Sequence, residues 1–251
     1  MKCLLRTLLA LFFLIGTMCQ TFSQDAKEII RKTDQKRRGD AATAEMTISI
    51  IRPTWSRDMD VKSWSRGTDY SLILITSPAR DKGSVFLKRD KEIWNWLPSI
   101  ERNVKLPPSM MMQSWMGSDF TNDDLIKESS VVDDYTHKIL GDSVIQDREC
   151  WVIELIPKED VAVVWGKVLN WIDKDEYIEL RSEMYDEDGY LVNEVNFLEI
   201  KDLGGRMLPS VMEFIPAEKE GHKTVIRYHQ VDYDARISEN FFSLQSMKRV
   251  K

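Results

Sequence analysis

Cysteine, histidine and the short motifs that accompany catalysis are all scarce in this chain. Three cysteines and three histidines occur in 251 residues. Cys3 and Cys19 fall in the first 23 residues, which read as a leader, so Cys150 alone remains in the body and no internal disulfide framework is available. Cys150 stands in the apolar run ECWVIELIP and reads as a small structural residue. His137, His222 and His229 are far apart, and neither HExxH nor CxxC occurs, which removes the usual zinc-site spacings. A GxSxG elbow and a Walker loop are also missing. Asp186, Asp188 and Gly189 begin like a calcium loop, but no glutamate follows at the required spacing. The adjacent acids Asp123/Asp124 and Asp133/Asp134 read as a helix start and a loop rather than as a glycosidase pair. The expectation is therefore no metal, no cofactor and no enzyme; a hydrolase with an unrecognised acid pair is the remote alternative.

Basic charge is in deficit as well. Lysine and arginine number 35 against 41 aspartates and glutamates, a net charge of −6. That balance argues against a nucleic-acid partner, which needs a basic stripe, and against tight adsorption to an anionic membrane. No apolar run reaches the roughly 20 residues that a spanning helix needs. Residues 1–23 instead read as a signal peptide: Lys2 and Arg6 form a positive start, Leu8 to Ile15 an apolar centre, and Thr21 and Ser23 a small-residue cleavage site. A retained anchor and lipidation at Cys19 are alternatives, although Gly16 and Met18 depart from a lipobox. Without Lys2 and Arg6 the remaining 228 residues carry 33 basic and 41 acidic side chains, a net charge of −8. They contain no linker-like tract and are expected to form one domain, residues 24–251.

What the chain does have is a long succession of period-two segments. Residues 26–38 suit a short amphipathic helix ending at Gly39. From Ala42 to Ile51, Ala44, Met46, Ile48 and Ile50 share one face and Thr43, Glu45, Thr47 and Ser49 the other. Strand-like runs continue through 57–64, 70–76, 84–88 and 92–97, with a short piece at 103–106. Pro107 and Pro108 end this meander. Residues 109–117 and 122–129 suggest two short helices, the second with Asn122 as N-cap and Asp123 and Asp124 in its first turn. Strands resume at 135–140 and run to 233, with the DEDG sequence of residues 186–189 as a strong hairpin turn. The tail from Ile237 to Leu244 (ISENFFSL) is expected to cap the body. The expected fold is mainly β (α+β): about eleven antiparallel strands curled into an unclosed barrel, with an N-terminal helix and mid-chain lid helices on the concave side.

Eight tryptophans and twelve methionines are more than such a domain needs. Trp94 and Trp96, two apart on a strand, share a face, with Asn95 expected to point outward. Met110, Met111, Met112 and Met116 cluster around Trp115, and methionine suits surfaces that accommodate several apolar shapes. A dry concave face under a lid is a place for acyl chains, each buried CH₂ contributing about 0.8 kcal/mol. The candidate lining of this acyl cavity is Leu72, Leu74, Trp94, Trp96, Met110, Met111, Met112, Trp115, Met116, Phe120, Trp151 and Ile153.

The runs IWNWLPSIERNVKL and SWMGSDFTNDDL, the strand ECWVIELIP and the tail ISENFFSL resemble the outer-membrane lipoprotein-sorting, or LolA-like, family over essentially the whole chain after the leader. That resemblance implies a monomeric carrier in the periplasm of a Gram-negative cell. It would take the acyl chains of lipoproteins, or a membrane lipid, from an inner-membrane transporter of ABC or RND type to an outer-membrane acceptor. It also implies a lid locked by an arginine bonded to lid backbone, for which Arg52, Arg57 and Arg66 are contenders. A periplasmic lipid or lipoprotein sensor and an accessory subunit of an RND-type exporter are the alternative functions.

Overall fold

The computed structural model describes residues 25–90, 92–111, 113–122, 124, 131–159, 161 and 165–250. The leader at 1–23, Met112 and most of the helix expected at 122–129 lie outside the described residues. One α-helix, α1 (Ala26–Arg38), precedes the strands β1 (Ala41–Arg52), β2 (Trp55–Arg66), β3 (Tyr70–Ser77), β4 (Val85–Arg89), β5 (Glu92–Leu97) and β6 (Arg102–Lys105). After a long connection come β7 (Tyr135–Ile145), β8 (Arg148–Pro157), β9 (Lys167–Asp173), β10 (Glu179–Tyr185), β11 (Leu191–Leu203), β12 (Arg206–Pro216) and β13 (Lys223–Asp232). All thirteen join a single antiparallel sheet in the order β6-β5-β4-β3-β2-β1-β13-β12-β11-β10-β9-β8-β7. The count is thirteen rather than about eleven because runs as short as Arg102–Lys105 pair fully with a neighbour. Length alone makes such a run a weak signal; its ladder makes it a strand.

Hairpins build each half, and β1 pairing with β13 joins the halves at the centre. The sheet does not close, so β6 and β7 are its two edges. Between them in sequence, Trp115 and Phe120 pack against the concave side of the sheet. The helix expected at 109–117 is replaced there by two 3-10 turns, Pro108–Met110 and Trp115–Gly117. Pro107 and Pro108 remove backbone donors, and Met116 takes a left-handed φ of 51°, which no α-helix continues through.

Helix α1 is stopped as its sequence indicates. Asp25 accepts from the Lys27 amide at 3.0 Å at the start. Gly39 ends it at φ 66°, where a Cβ would lie 2.9 Å from the Tyr233 ring. The orphaned carbonyls of the last turn are taken up by Arg206, 2.8 Å from Lys36 O, and by the Tyr233 hydroxyl, 2.7 Å from Arg37 O. The apolar side of α1 buries Ala26, Ile29 and Ile30 on Tyr135, Trp151, Ile153, Leu155, Val168 and Ile172. The helix thus roofs part of the concave face over the β7–β9 end.

The convex face of β2–β5 is covered too. Phe242 is fully buried against Leu72, Leu74, Val85 and Leu87, with Met247 beside it and Trp64, Trp94 and Trp96 packed around. Phe242 stacks on Tyr70 at 5.5 Å, and Phe241 tilts on Trp64 at 5.7 Å. Arg66 ties the tail down through Ile237 O at 3.1 Å. The tail caps the body as its aromatic pair suggests, from outside the barrel.

Candidate functional site

A cavity of about 370 Å³ lies on the concave side, within the range of small-molecule sites. Its walls come from both halves of the sheet: Met46, Ile48, Val61 and Ile73 from one, and Val195, Phe197, Met212, Phe214 and Ile226 from the other. Ile30 of α1 contributes to the roof, and Trp115 and Phe120 of the edge-to-edge connection close the third side. This plug is packed well. Trp115 is 1% exposed, stacks on Phe120 at 5.3 Å and meets Phe86 at 5.3 Å, while Phe120 reaches Phe214 at 5.5 Å.

Polar groups clamp the plug to the sheet. Arg52 donates to Gly117 O at 2.8 Å and pairs with Asp119 at 2.9 Å, both side chains being nearly buried. Thr224 completes the network: its hydroxyl donates to Asp119 Oδ2 at 2.7 Å and accepts from the Asp119 amide at 3.0 Å. Arg57 donates to Met116 O, so a second guanidinium holds the residue with the left-handed backbone. Two of the three contending arginines thus bond plug backbone, and the third, Arg66, serves the tail. The plug also carries costs. Met116 adopts a φ that a side-chain-bearing residue rarely takes, and the Trp115 indole N–H is buried with no acceptor among the described residues.

The expected lining residues that the structure describes divide into four groups. Trp115 and Phe120 line the cavity, and Met116 packs into the same cluster. Trp151 and Ile153 occupy the concave face but lie beneath α1. Leu72, Leu74, Trp94 and Trp96 are on the other side, and their placement in the cavity has to be corrected. Register shows why: Ile73 opposes Phe86, which opposes Asn95, so Asn95 shares the concave face and its tryptophan neighbours face the tail. Met110 is exposed and Met111 half-buried, neither at the cavity.

Residues that sequence reasoning passed over include Lys88, Ser63, Ser65 and Ser71, all at the cavity wall. The signal was present in β2, where the serines alternate with Trp64, but a serine face does not read as an inner face. Burial pushes the Tyr233 phenol at the rim upward, against the influence of Arg206 and Arg37. Cys150, fully buried in the convex cluster with Ile178 and Leu180, also has its thiol pushed up by burial, which keeps it protonated and unreactive. Among the described residues no three histidine, cysteine, aspartate or glutamate side chains converge as a metal site, and no helix is long and apolar enough to cross a membrane.

With this geometry the chain can be compared with known proteins. No curated protein matches it. A DUF1329 family protein from Desulfovibrio piger superposes with a TM-score of 0.81 at 23% identity, over 88% of this chain and 97% of the other. A protein domain from Vibrio parahaemolyticus described as outer membrane lipoprotein-sorting gives a TM-score of 0.79 at 22% identity, over 89% and 98%. A LolA superfamily protein from Nitrosomonas europaea gives 0.77 at 23%, over 89% and 100%. A family model described as "Uncharacterized protein" matches residues 67–249. The chain belongs to that family, and its fold is that of the LolA-like lipoprotein-sorting proteins.

Proposed function

We propose that this protein is a non-enzymatic periplasmic carrier that holds acyl chains, of lipoproteins or of a membrane lipid, inside the half-barrel. It takes them from an inner-membrane transporter of ABC or RND type and yields them to an outer-membrane acceptor. Residues 1–23 serve as the export signal and residues 24–251 act as one domain, as a monomer. The observation that carries this reading is the largely apolar concave cavity closed by an aromatic plug, which Arg52, Arg57 and Thr224 tie to the sheet through Gly117 O, Met116 O and Asp119. Aromatic side chains that satisfy the cavity in the empty protein can be exchanged for acyl chains, one dry contact for another, so loading costs little beyond breaking the clamp. The strained Met116 and the Trp115 N–H, which has no acceptor among the described residues, lower that cost further, because both are relieved when the plug leaves. The test is native mass spectrometry, with lipid extraction, of the protein purified from its own periplasm. Co-purifying acylated species at one per chain are expected. A protein that emerges empty and also fails to bind added long-chain amphiphiles is not a carrier.

A further inference from the structure

The cavity wall beneath α1 carries three uncharged polar side chains, and two of them hold groups with nothing to bond. Asn170 on β9 and Ser182 on β10 are 7% and 3% exposed and stand opposite each other, the Ser182 hydroxyl donating to Asn170 Oδ1 at 2.9 Å. The Asn170 amide N–H groups have no acceptor among the described residues. Thr33 of α1 is 8% exposed, and its hydroxyl is likewise without a partner among the described residues. All three side chains line the cavity. A buried amide or hydroxyl left without a partner is costly, so two of them at one place in a native fold call for a physical account.

The path of α1 brings them together. The helix leaves Asp133, 3.1 Å from Lys27, and reaches the β9–β10 turn, where Lys32 lies 4.7 Å over the Tyr177 ring and Lys36 pairs with Glu176 at 2.8 Å. Thr33 falls between those two lysines in sequence and follows Ala26, Ile29 and Ile30 on the buried face of the helix. On β9, Asn170 stands between Val168 and Ile172, which share one buried cluster with Ile29 and Ile30. From Ser182 the concave row continues to Val195 and then to Phe214, and Phe214 meets Phe120 of the plug at 5.5 Å. A polar spot thus stands at one end of the row. An apolar wall runs from it toward the plug, over three strand spacings or roughly 14 Å.

We propose that the cavity recognises the acyl linkage itself: the carbonyl oxygen of an ester or amide accepts from the Asn170 amide and the Thr33 hydroxyl, and the hydrocarbon runs along Val195 and Phe214 toward Phe120. Both donors are neutral, so a neutral acceptor matches them, and a threonine in a helix has two χ1 rotamers through which to aim its hydroxyl. The inference rests on the carrier reading and adds the group by which the ligand is recognised. The test titrates the full chain with three ligands that share one chain length: 1-hexadecanoylglycerol, 1-hexadecylglycerol and N-hexadecanoyl-3-aminopropane-1,2-diol. Displacement of a fluorescent acyl probe reports binding. The ester and the ether differ only in the carbonyl, and the ester should bind about fivefold more tightly, the effect of one neutral hydrogen bond. Whether the ester or the amide leads tells an O-acylated lipid from an N-acylated protein terminus. Thr33→Val should raise the urea midpoint, because it removes a buried hydroxyl without a partner, and should also lower the preference for ester over ether. A hydroxyl with a purely structural place would change only the first. Asn170→Leu should make ester and ether bind equally while the ether stays within about twofold of its native affinity. If Asn170→Leu does not fold, Thr33→Val decides alone. Equal affinity for ester and ether in the native chain, or a preference unchanged by the substitutions, overturns the carbonyl site and leaves the carrier standing, because the ether still binds. Failure of all three ligands to bind overturns the carrier reading, and the carbonyl site with it.

Discussion

Arg52 and Asp119 exemplify a buried ion pair whose purpose is to hold one segment in one place. Each is nearly buried; Arg52 also donates to Ile51 O, Lys223 O and Gly117 O, and Asp119 also accepts from the Thr224 hydroxyl. Removing one partner of such a pair strands the other charge, which costs about 3–5 kcal/mol if nothing moves. Here something can move: the plug. Arg52→Met is therefore expected to release the plug rather than unfold the barrel. Trp115 emission should shift toward the red, and the urea midpoint should fall by less than that figure implies. Arg52→Met combined with Asp119→Leu removes both charges and should restore the Trp115 signal to near its native position. A double variant as open as the single one would show that the lost Arg52 bonds, and not the stranded Asp119 charge, are what release the plug.

Among the elements, the C-terminal tail is the one whose role departs furthest from its polar appearance. Its 3-10 turns Glu239–Phe241 and Ser246–Lys248 carry little local stability, yet they seat Phe242 and Met247 in the convex cluster. Phe242→Ala should cost about 3–5 kcal/mol, the usual cost of emptying a fully buried phenylalanine site, read as a lower urea midpoint. Acyl-probe affinity should stay within about twofold, because the tail and the cavity lie on opposite faces of the sheet. A loss of affinity matching the loss of stability would mean that the two faces are coupled. The same division explains the tryptophans. Trp94 and Trp96 were legible as a pair on one face of β5, but alternation is symmetric between faces. Only the tail, arriving about 140 residues later in the chain, makes their side the convex core.

For the molecule as a whole, the consequence of an unclosed sheet is a mouth that the chain itself must bridge. The cavity beside the closed plug is at the small end of ligand sites, so a ligand with two or more long chains requires the plug to leave. Hydrogen exchange should then quicken on loading a diacylated ligand at the Trp115, Ser118 and Asn122 amides, which bond within the plug to Phe120 O, Trp115 O and Gln113 O. Amides of the central β1–β13 ladder should not change. Unaltered exchange at the three plug amides in a loaded protein would show that the plug is a permanent wall.

Alternation, turn residues and caps determined which segments become strands and helix. Asp25 and Gly39 bounded α1, and the Asp186–Gly189 turn set a hairpin, because those signals act within a few residues. Trp115 and Phe120 were legible as cavity residues for a similar reason: they sit in an aromatic segment between proline breaks and the next strand, which must cross the mouth. Which face of each strand would be inside was not local information. It depended on what came to cover each face, the plug and α1 on one side and residues 237–250 on the other. The inner row of Ser65, Ser71 and Lys88 followed the same logic in reverse. Polar residues on a strand read as solvent-facing until the curl of the sheet encloses them, and enclosure is a property of thirteen strands together rather than of any one.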